Sequence, residues 1–275
     1  MPDCTTKGRR YVILVGMATS QLHNSQITVT RRAMSKVPEV TAYFWIVKVL
    51  TTGMGETTSD YLAHRLNPIV AVALAGILLA ASLAVQFGVR RYVAWIYWTS
   101  ITMVSVFGTM AADVLHVALG IPYVISTAFF LVALAAIFAI WYASEKTLSI
   151  HSIVTRRREL FYWATVMTTF ALGTATGDMT AVTVHLGYLA SGVMFAVLIA
   201  LPALAYLWLR MNAVLTFWFA YVLTRPLGAS FADWMGVPRA RGGLALGTGP
   251  VSLFLAVIIV GFVGYLTVTR KDAAR

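Results

Sequence analysis

The sequence predicts an all-α polytopic membrane protein: eight transmembrane helices from four parallel two-helix repeats, with both termini on the cytoplasmic side. Three observations carry this expectation. Of 275 residues, 59% are hydrophobic and 11% charged, and the mean hydropathy is +0.79. A soluble domain carries about 25% charge, so this chain has too few charges to cover a surface in water. Eight stretches have the roughly 20 mostly apolar residues that cross a ~30 Å hydrocarbon core as a helix. One aromatic-Trp-Gly-Asp pattern also recurs four times at fixed spacing.

The spans fall at 42–62, 68–88, 93–117, 121–142, 160–182, 187–209, 212–233 and 248–268. The connections between them are short. No soluble domain fits, and one membrane domain is expected over 37–270, followed by a cytoplasmic tail at 271–275. Residues 1–36 read as a disordered cytoplasmic extension. Lys7, Arg9 and Arg10 followed by the apolar run Tyr11–Ala18 faintly resemble a signal peptide. Cleavage there would leave Arg31, Arg32 and Lys36 outside, against the preference for cytoplasmic positive charge. Met34, followed by Ser-Lys-Val-Pro, is an alternative start of translation.

Orientation follows from Lys and Arg. With the N-terminus inside, the cytoplasmic segments hold sixteen of the 21 Lys and Arg, among them Arg90, Arg91, Arg156, Arg157, Arg158, Arg270 and Lys271. The outside keeps Arg65, Arg239 and Arg241, while Lys48 and Arg225 lie within helices. This asymmetry accounts for the net charge of +11 without nucleic-acid binding. The expected location is the bacterial inner (plasma) membrane, the expected partners are the bilayer and a small ion or solute, and the oligomeric state is left open.

The repeat is the most informative feature. Trp45, Trp98, Trp163 and Trp218 each follow an aromatic residue, and Asp60, Asp113, Asp178 and Asp233 each lie fifteen residues further on. Gly55, Gly108, Gly173 and Gly228 stand five before each Asp. Each unit is one motif helix plus one plain apolar helix, so the units run at about 40–88, 92–142, 158–209 and 212–268. A unit that crosses twice returns to its starting side. The four repeats are therefore parallel, related by an axis along the membrane normal.

The segments Val37-Pro38-Glu39-Val40 and Gly55-Glu56-Thr57-Thr58-Ser59-Asp60, with the three later Trp/Gly/Asp copies, resemble a bacterial membrane-protein family of four tandem repeats of unknown function. Each repeat of that family has two membrane helices and a tryptophan. The resemblance covers roughly 37–270. It implies the eight-helix fold and brings no activity with it.

Fifteen residues of helix span about 22 Å, which puts Trp at one interface and Asp in the opposite part of the same helix. The Trp residues are expected to anchor in an aromatic belt, and the Gly residues to permit close helix packing. The aspartates have two readings. They cap helix ends at the outer interface, or they converge on the central axis as a cation site. Glu56 lies four residues before Asp60, on the same face. The equivalents are Thr109, Thr174 and Ala229, and eight before Asp the series is Thr52, Ser105, Phe170 and Arg225. Divergence along one face of a symmetric scaffold favours the convergent reading.

Arg225 precedes Pro226, which cannot donate to the carbonyl of Val222 and should kink its helix. An unpaired guanidinium in mid-membrane is expensive. Arg225 should therefore pair with a carboxylate of a neighbouring repeat, either as a fixed salt bridge or as a tethered cation that competes with substrate. Lys48 is expected to snorkel to the interface. The span interiors hold Glu56, Asp60, Asp113, Asp178 and Asp233 against Lys48 and Arg225, a net-negative interior suited to hard ions such as Mg²⁺ or Mn²⁺. His64, His116 and His185 near the outer ends are further ligand candidates.

These features point to a small secondary transporter for a cation or cationic solute, proton-coupled through the carboxylates. Two alternatives stand beside it: an exporter of a neutral or organic solute with an Asp proton relay, and a non-transporting sensor or assembly factor. No enzyme is expected. There is no nucleotide-binding loop or nucleophile elbow, and Thr174-Ala175-Thr176-Gly177-Asp178 lacks the Gly-x-Gly-Asp of an intramembrane aspartyl protease. The lone Cys4 excludes disulfides and multi-thiolate metal sites. No cofactor is implied.

Overall fold

The computed structural model describes residues 35–273. The extension up to Met34, its Cys4 and the alternative start lie outside the described residues. The described residues form eight long helices: α1 (Ala42–Arg65), α2 (Pro68–Gly88), α3 (Ala94–Asp113), α4 (Tyr123–Glu145), α5 (Arg156–Asp178), α6 (Tyr188–Leu209), α7 (Ala213–Gly236) and α8 (Thr248–Thr269). No strand occurs among the described residues. Four helices are long and apolar enough to cross a membrane: α2, α3 with the turn after it, α4 and α8. The others are of similar length but carry the polar residues of the motif, or fall short in the length of their apolar run.

The odd-numbered motif helices form an inner ring, and each touches the next: α1 with α3, α3 with α5, α5 with α7, and α7 with α1. The even-numbered helices lie outside it. Each packs on the motif helix of the following repeat: α2 on α3, α4 on α5, α6 on α7, and α8 back on α1. The outer helices bury only a narrow stripe. In α2 this stripe is Ala71, Ala75, Leu79 and Gln86, and in α8 it is Val251, Leu255, Ile259 and Leu266. A four-residue step keeps such residues on one face. The remaining surface, including Ile69, Ile77, Val260 and Val268, is exposed and apolar, as a lipid-facing surface must be.

Two sets of contacts close the ring. At one end, the aromatic residue before each Trp packs against the Trp of the next repeat. Phe44 meets Trp98 at 5.8 Å, Tyr97 meets Trp163 at 5.8 Å, Tyr162 meets Trp218 at 6.2 Å, and Phe217 meets Trp45 at 5.7 Å between ring centroids. All four distances are in the favourable range for aromatic pairs. This corrects the expectation of a lipid-facing belt: Trp98, Trp163 and Trp218 are 1%, 4% and 4% exposed. An aromatic-Trp dipeptide repeated with fourfold symmetry supplies each Trp with the Phe or Tyr of the neighbouring repeat; three of the four tryptophans are thereby buried, and Trp45 is half-buried.

The glycines close the ring near mid-helix. A Cβ at Gly55 would overlap Ser105, at Gly173 it would overlap Arg225, and at Gly228 it would overlap Thr52. At Gly108 it would stand 3.0 Å from the Cβ of Phe170. Each glycine thus receives the residue that stands eight before Asp in the next repeat. Gly228→Ala is expected to cost about 1–3 kcal/mol, the usual penalty for overpacking a tight contact. Gly261→Ala, where nothing lies within 4 Å, should cost nothing or stabilise α8. Thermal unfolding in detergent reads both; equal melting temperatures would show that the close approach does not matter.

Polar contacts tie the aromatic end together. Lys36 donates to Glu159 at 2.6 Å, and Gln86 donates to the other oxygen of Glu159 at 3.2 Å. Arg158 pairs with Glu145 at 2.8 Å. Ser35 and Lys36 are buried here, and the backbone of Lys36 donates to Ile153. Ser35 and Lys36 thus pack as part of the bundle, although the sequence placed them in the extension before 37.

Candidate functional site

Residues spaced by four progress only about 40° around a helix, so the positions twelve, eight and four before each Asp form one stripe ending at the aspartate. In α1 the stripe is Lys48, Thr52, Glu56 and Asp60. In α3 it is Ile101, Ser105, Thr109 and Asp113, in α5 Val166, Phe170, Thr174 and Asp178, and in α7 Tyr221, Arg225, Ala229 and Asp233. Every residue in the first three positions of these four stripes is buried. The four stripes meet along the axis of the inner ring.

Arg225 sits at the centre of this arrangement and is 0% exposed. Its Nη2 donates to Glu56 and Thr109, and to Thr174 at 2.7 Å. These acceptors are the residues four before Asp in the other three repeats. The fourth equivalent, Ala229, has no polar group, and the arginine reaches past it across the axis. The expected pairing with a carboxylate of another repeat is present, and the threonine hydroxyls join it. Two Nη2 hydrogens serve three acceptors, while Nε and Nη1 have no hydrogen-bond partner among the described residues. α7 continues as one helix through Pro226, which packs against Gly173 and Gly177 of α5.

Beyond Arg225, toward the aspartate end, Glu56, Asp178 and Asp233 bring one carboxylate oxygen each within 4.8 Å of the others. Three carboxylates so close repel one another strongly in a low-dielectric setting, and one guanidinium offsets a single charge. The cluster keeps a net charge near −2 when ionised, which a divalent cation would neutralise. Asp60 and Asp113 are half-buried and stand outside this triad. The sequence grouped the four aspartates as equals; the structure groups two of them with Glu56.

Among the described residues none of the four aspartate side chains caps a helix start by a hydrogen bond. Neither Asp113 nor Asp178 caps the turn that follows it. The starts of α2, α4 and α8 are instead occupied by Asn67, Pro122 and Gly247. After Asp113 and Asp178 the chain widens into single π-helical turns, Val114–Ala118 and Met179–Thr183. Such turns occur often at functional sites. Neither His64 nor His116 is in the triad: their Nδ1 atoms lie 2.6 Å and 3.1 Å from the carbonyl oxygens of Asp60 and Ile121. His185 stands in a turn at φ 59° and is likewise outside it.

Lys48 corrects another expectation. Its side chain does not snorkel outward: it is 0% exposed, and its Nζ lies 3.8 Å from the ring centroid of Phe170 and 4.2 Å from that of Tyr221. No oxygen accepts from it among the described residues. Two aromatic faces attract the ammonium by about 2 kcal/mol each when desolvated, which is less than the several kcal/mol lost with its water shell. Phe170 also lies 5.7 Å from the guanidinium carbon of Arg225, so one ring separates the two axial cations. The Tyr97 and Tyr162 hydroxyls follow toward the aromatic end, 2.5 Å apart. Sequence reasoning placed Phe170 on the diverging face, and Tyr97 and Tyr162 in the aromatic-Trp pattern, without giving them a place on the axis, and it missed Tyr221. Extending the four-residue stripe one step further back from Asp would have found Tyr221 opposite Lys48.

Four consecutive segments, residues 43–92, 96–147, 161–212 and 216–272, match the family described as Repeat of Unknown Function (DUF347). The matched segments share the phase of the repeats seen in the structure, each with one inner and one outer helix. No curated protein and no solved structure matches the chain. With four tandem copies covering most of its length, the chain belongs to the DUF347 repeat family.

Proposed function

We propose that the protein is a secondary transporter of the bacterial inner membrane for a cation, in the class of Mg²⁺ or Mn²⁺, or for a cationic solute. In this reading all eight helices span the membrane, with both termini in the cytoplasm and the aspartate end outside. Glu56, Asp178 and Asp233 bind the cation, Asp60 and Asp113 line its approach, and the carboxylates exchange protons against it. Arg225 is the protein's own cation, which holds Glu56 until the substrate competes for it.

One observation carries the proposal: a guanidinium on the symmetry axis, held by the equivalent positions of three repeats, faces three clustered carboxylates. Buried ionisable groups at membrane depth are costly and are usually retained along ion or proton paths. Oxygen-only donors suit hard divalent ions.

The experiment is flux of divalent and organic cations into proteoliposomes across an imposed pH gradient. The expected result is uptake of one of them with counterflow of protons. The closed half of the axis, where Lys48, Phe170 and Tyr221 are all unexposed, favours a second reading, a membrane sensor that binds its cation without moving it. Saturable binding with no flux for any cation would decide for the sensor. Orientation is read separately: reporter fusions after Gln86 and Arg270 should be cytoplasmic, and those after Asn67 and Met235 external. An external C-terminus would overturn the orientation.

A further inference from the structure

At the aromatic end, a groove of about 660 Å³ opens between the start of α3 and the end of α8. Arg91 and Arg270 stand exposed at its edge, and neither forms an ion pair among the described residues. The first turn of α3 also faces it, behind Val93, which offers no side-chain cap. The leading N–H groups of that helix therefore lack an acceptor from the cap residue. Trp95, half exposed, forms an apolar wall. So far these features describe a site for a phosphate.

The remaining side is different. The chain leaves α8 at Arg270 with φ 52°, folds back, and the carbonyl of Asp272 accepts from the backbone of Glu39 at 2.8 Å. This holds the Asp272 side chain in the groove wall, 1% exposed. One carboxylate oxygen accepts from the Tyr92 hydroxyl, and the other is buried with no hydrogen-bond partner among the described residues. Burial pushes the Asp272 carboxyl above the ordinary carboxylate range, in spite of the Tyr92 hydroxyl that donates to it. A buried acceptor left unmade costs about 1–3 kcal/mol, so a donor that reaches it binds with advantage.

We propose that this groove is a headgroup site for a phospholipid that carries a primary ammonium beside its phosphodiester, a phosphoethanolamine headgroup. The phosphate lies against Arg91, Arg270 and the start of α3, and the ammonium donates to the free oxygen of Asp272. The acyl chains leave past Trp95. α3 and α8 are both long and apolar enough to span, so the first turn of one and the last turn of the other lie at headgroup depth. The inference rests on the membrane reading of the fold and not on transport. A glycerol headgroup supplies the phosphate without the ammonium, and a choline headgroup supplies a cation with no N–H to donate.

The test uses the purified full chain in detergent with lipids of identical acyl chains and ethanolamine, choline or glycerol headgroups. Retention is read by native mass spectrometry, and thermal stability is read in parallel. The ethanolamine lipid is expected to bind about tenfold more tightly than the other two, the worth of one charge-assisted hydrogen bond. Asp272→Asn should erase that preference while leaving overall lipid binding, and Arg91→Gln with Arg270→Gln should weaken all three lipids. Soluble phosphoethanolamine should compete only weakly, since it lacks the chains. Equal retention of the three lipids by the wild-type chain overturns the proposal, a result that does not depend on any variant folding. Exclusion of every lipid overturns it too. None of these readouts involves flux, so failure here leaves the transport proposal where it stands.

Discussion

Glu56→Ala is expected to destabilise the bundle by about 3–5 kcal/mol, and adding Arg225→Met to recover most of that loss. Among the described residues Glu56 is the one carboxylate bonded to Arg225, and both side chains are essentially unexposed. Removing the acid strands a guanidinium on the axis with two threonine hydroxyls, which are neutral. Removing the base as well leaves a nonpolar chain of similar length between α1, α3 and α5. The two threonines lose little in the double variant, because each already donates within its own helix: Thr109 to Ser105 at 2.9 Å and Thr174 to Phe170 at 3.2 Å. Arg225→Met alone should also be costly, since it leaves Glu56 buried without its cation. Unfolding of the four proteins in detergent gives the coupling energy as a double-mutant cycle. Additivity within about 0.5 kcal/mol would mean that the pair is not the bond holding the axis together.

The helices were legible because long, mostly apolar runs bounded by short polar connections mark where each begins and ends. The expected spans 42–62 and 68–88 correspond to Ala42–Arg65 and Pro68–Gly88. The repeat phase was legible because Trp, Gly and Asp stand at fixed offsets. The order in which the repeats touch was not. Parallel repeats can close in a ring, pair off or form a row, and spacing within a repeat does not choose among these. The choice is made by complementary pairs between repeats: each glycine with the residue eight before Asp in the next repeat, and each leading aromatic with the next Trp.

The misplaced residues share one cause. Trp98 and Lys48 were assigned from what such residues do at a lipid interface, where Trp meets headgroups and Lys reaches water. In a ring of four inner helices shielded by four outer ones, the same depth is protein interior. There Lys48 finds Phe170 and Tyr221, and Trp98 finds Phe44. The partner of Arg225 was predictable in kind, because a buried guanidinium requires a carboxylate. That it would bond three repeats at once depends on the reach of its side chain across the axis past Ala229, and no spacing within one helix encodes that.

Among the four aspartates, Asp178→Asn and Asp233→Asn are expected to lower cation affinity by about 10- to 100-fold, and Asp60→Asn and Asp113→Asn by less. A hydrogen bond or ligand contact to a charged group is worth about 1.5–3 kcal/mol, which is that range in affinity. Only Asp178 and Asp233 share the cluster with Glu56, so only they lose a direct ligand when neutralised. Asn is nearly isosteric and cheaper to bury than a carboxylate, so the fold should survive in all four variants. Glu56→Gln should resemble the severe pair in flux but, unlike them, should also lose stability through Arg225. Arg225→Met should behave in the opposite sense at the site. With its guanidinium gone, the three carboxylates hold a divalent cation without competition, and KM and the maximal flux should fall together as release slows. The measurement is initial uptake into proteoliposomes over a range of cation concentrations, with protein insertion checked for each variant. Wild-type flux in all four asparagine variants would rule out the carboxylates as the cation path, and the triad at the axis would then be only a structural neighbour of Arg225.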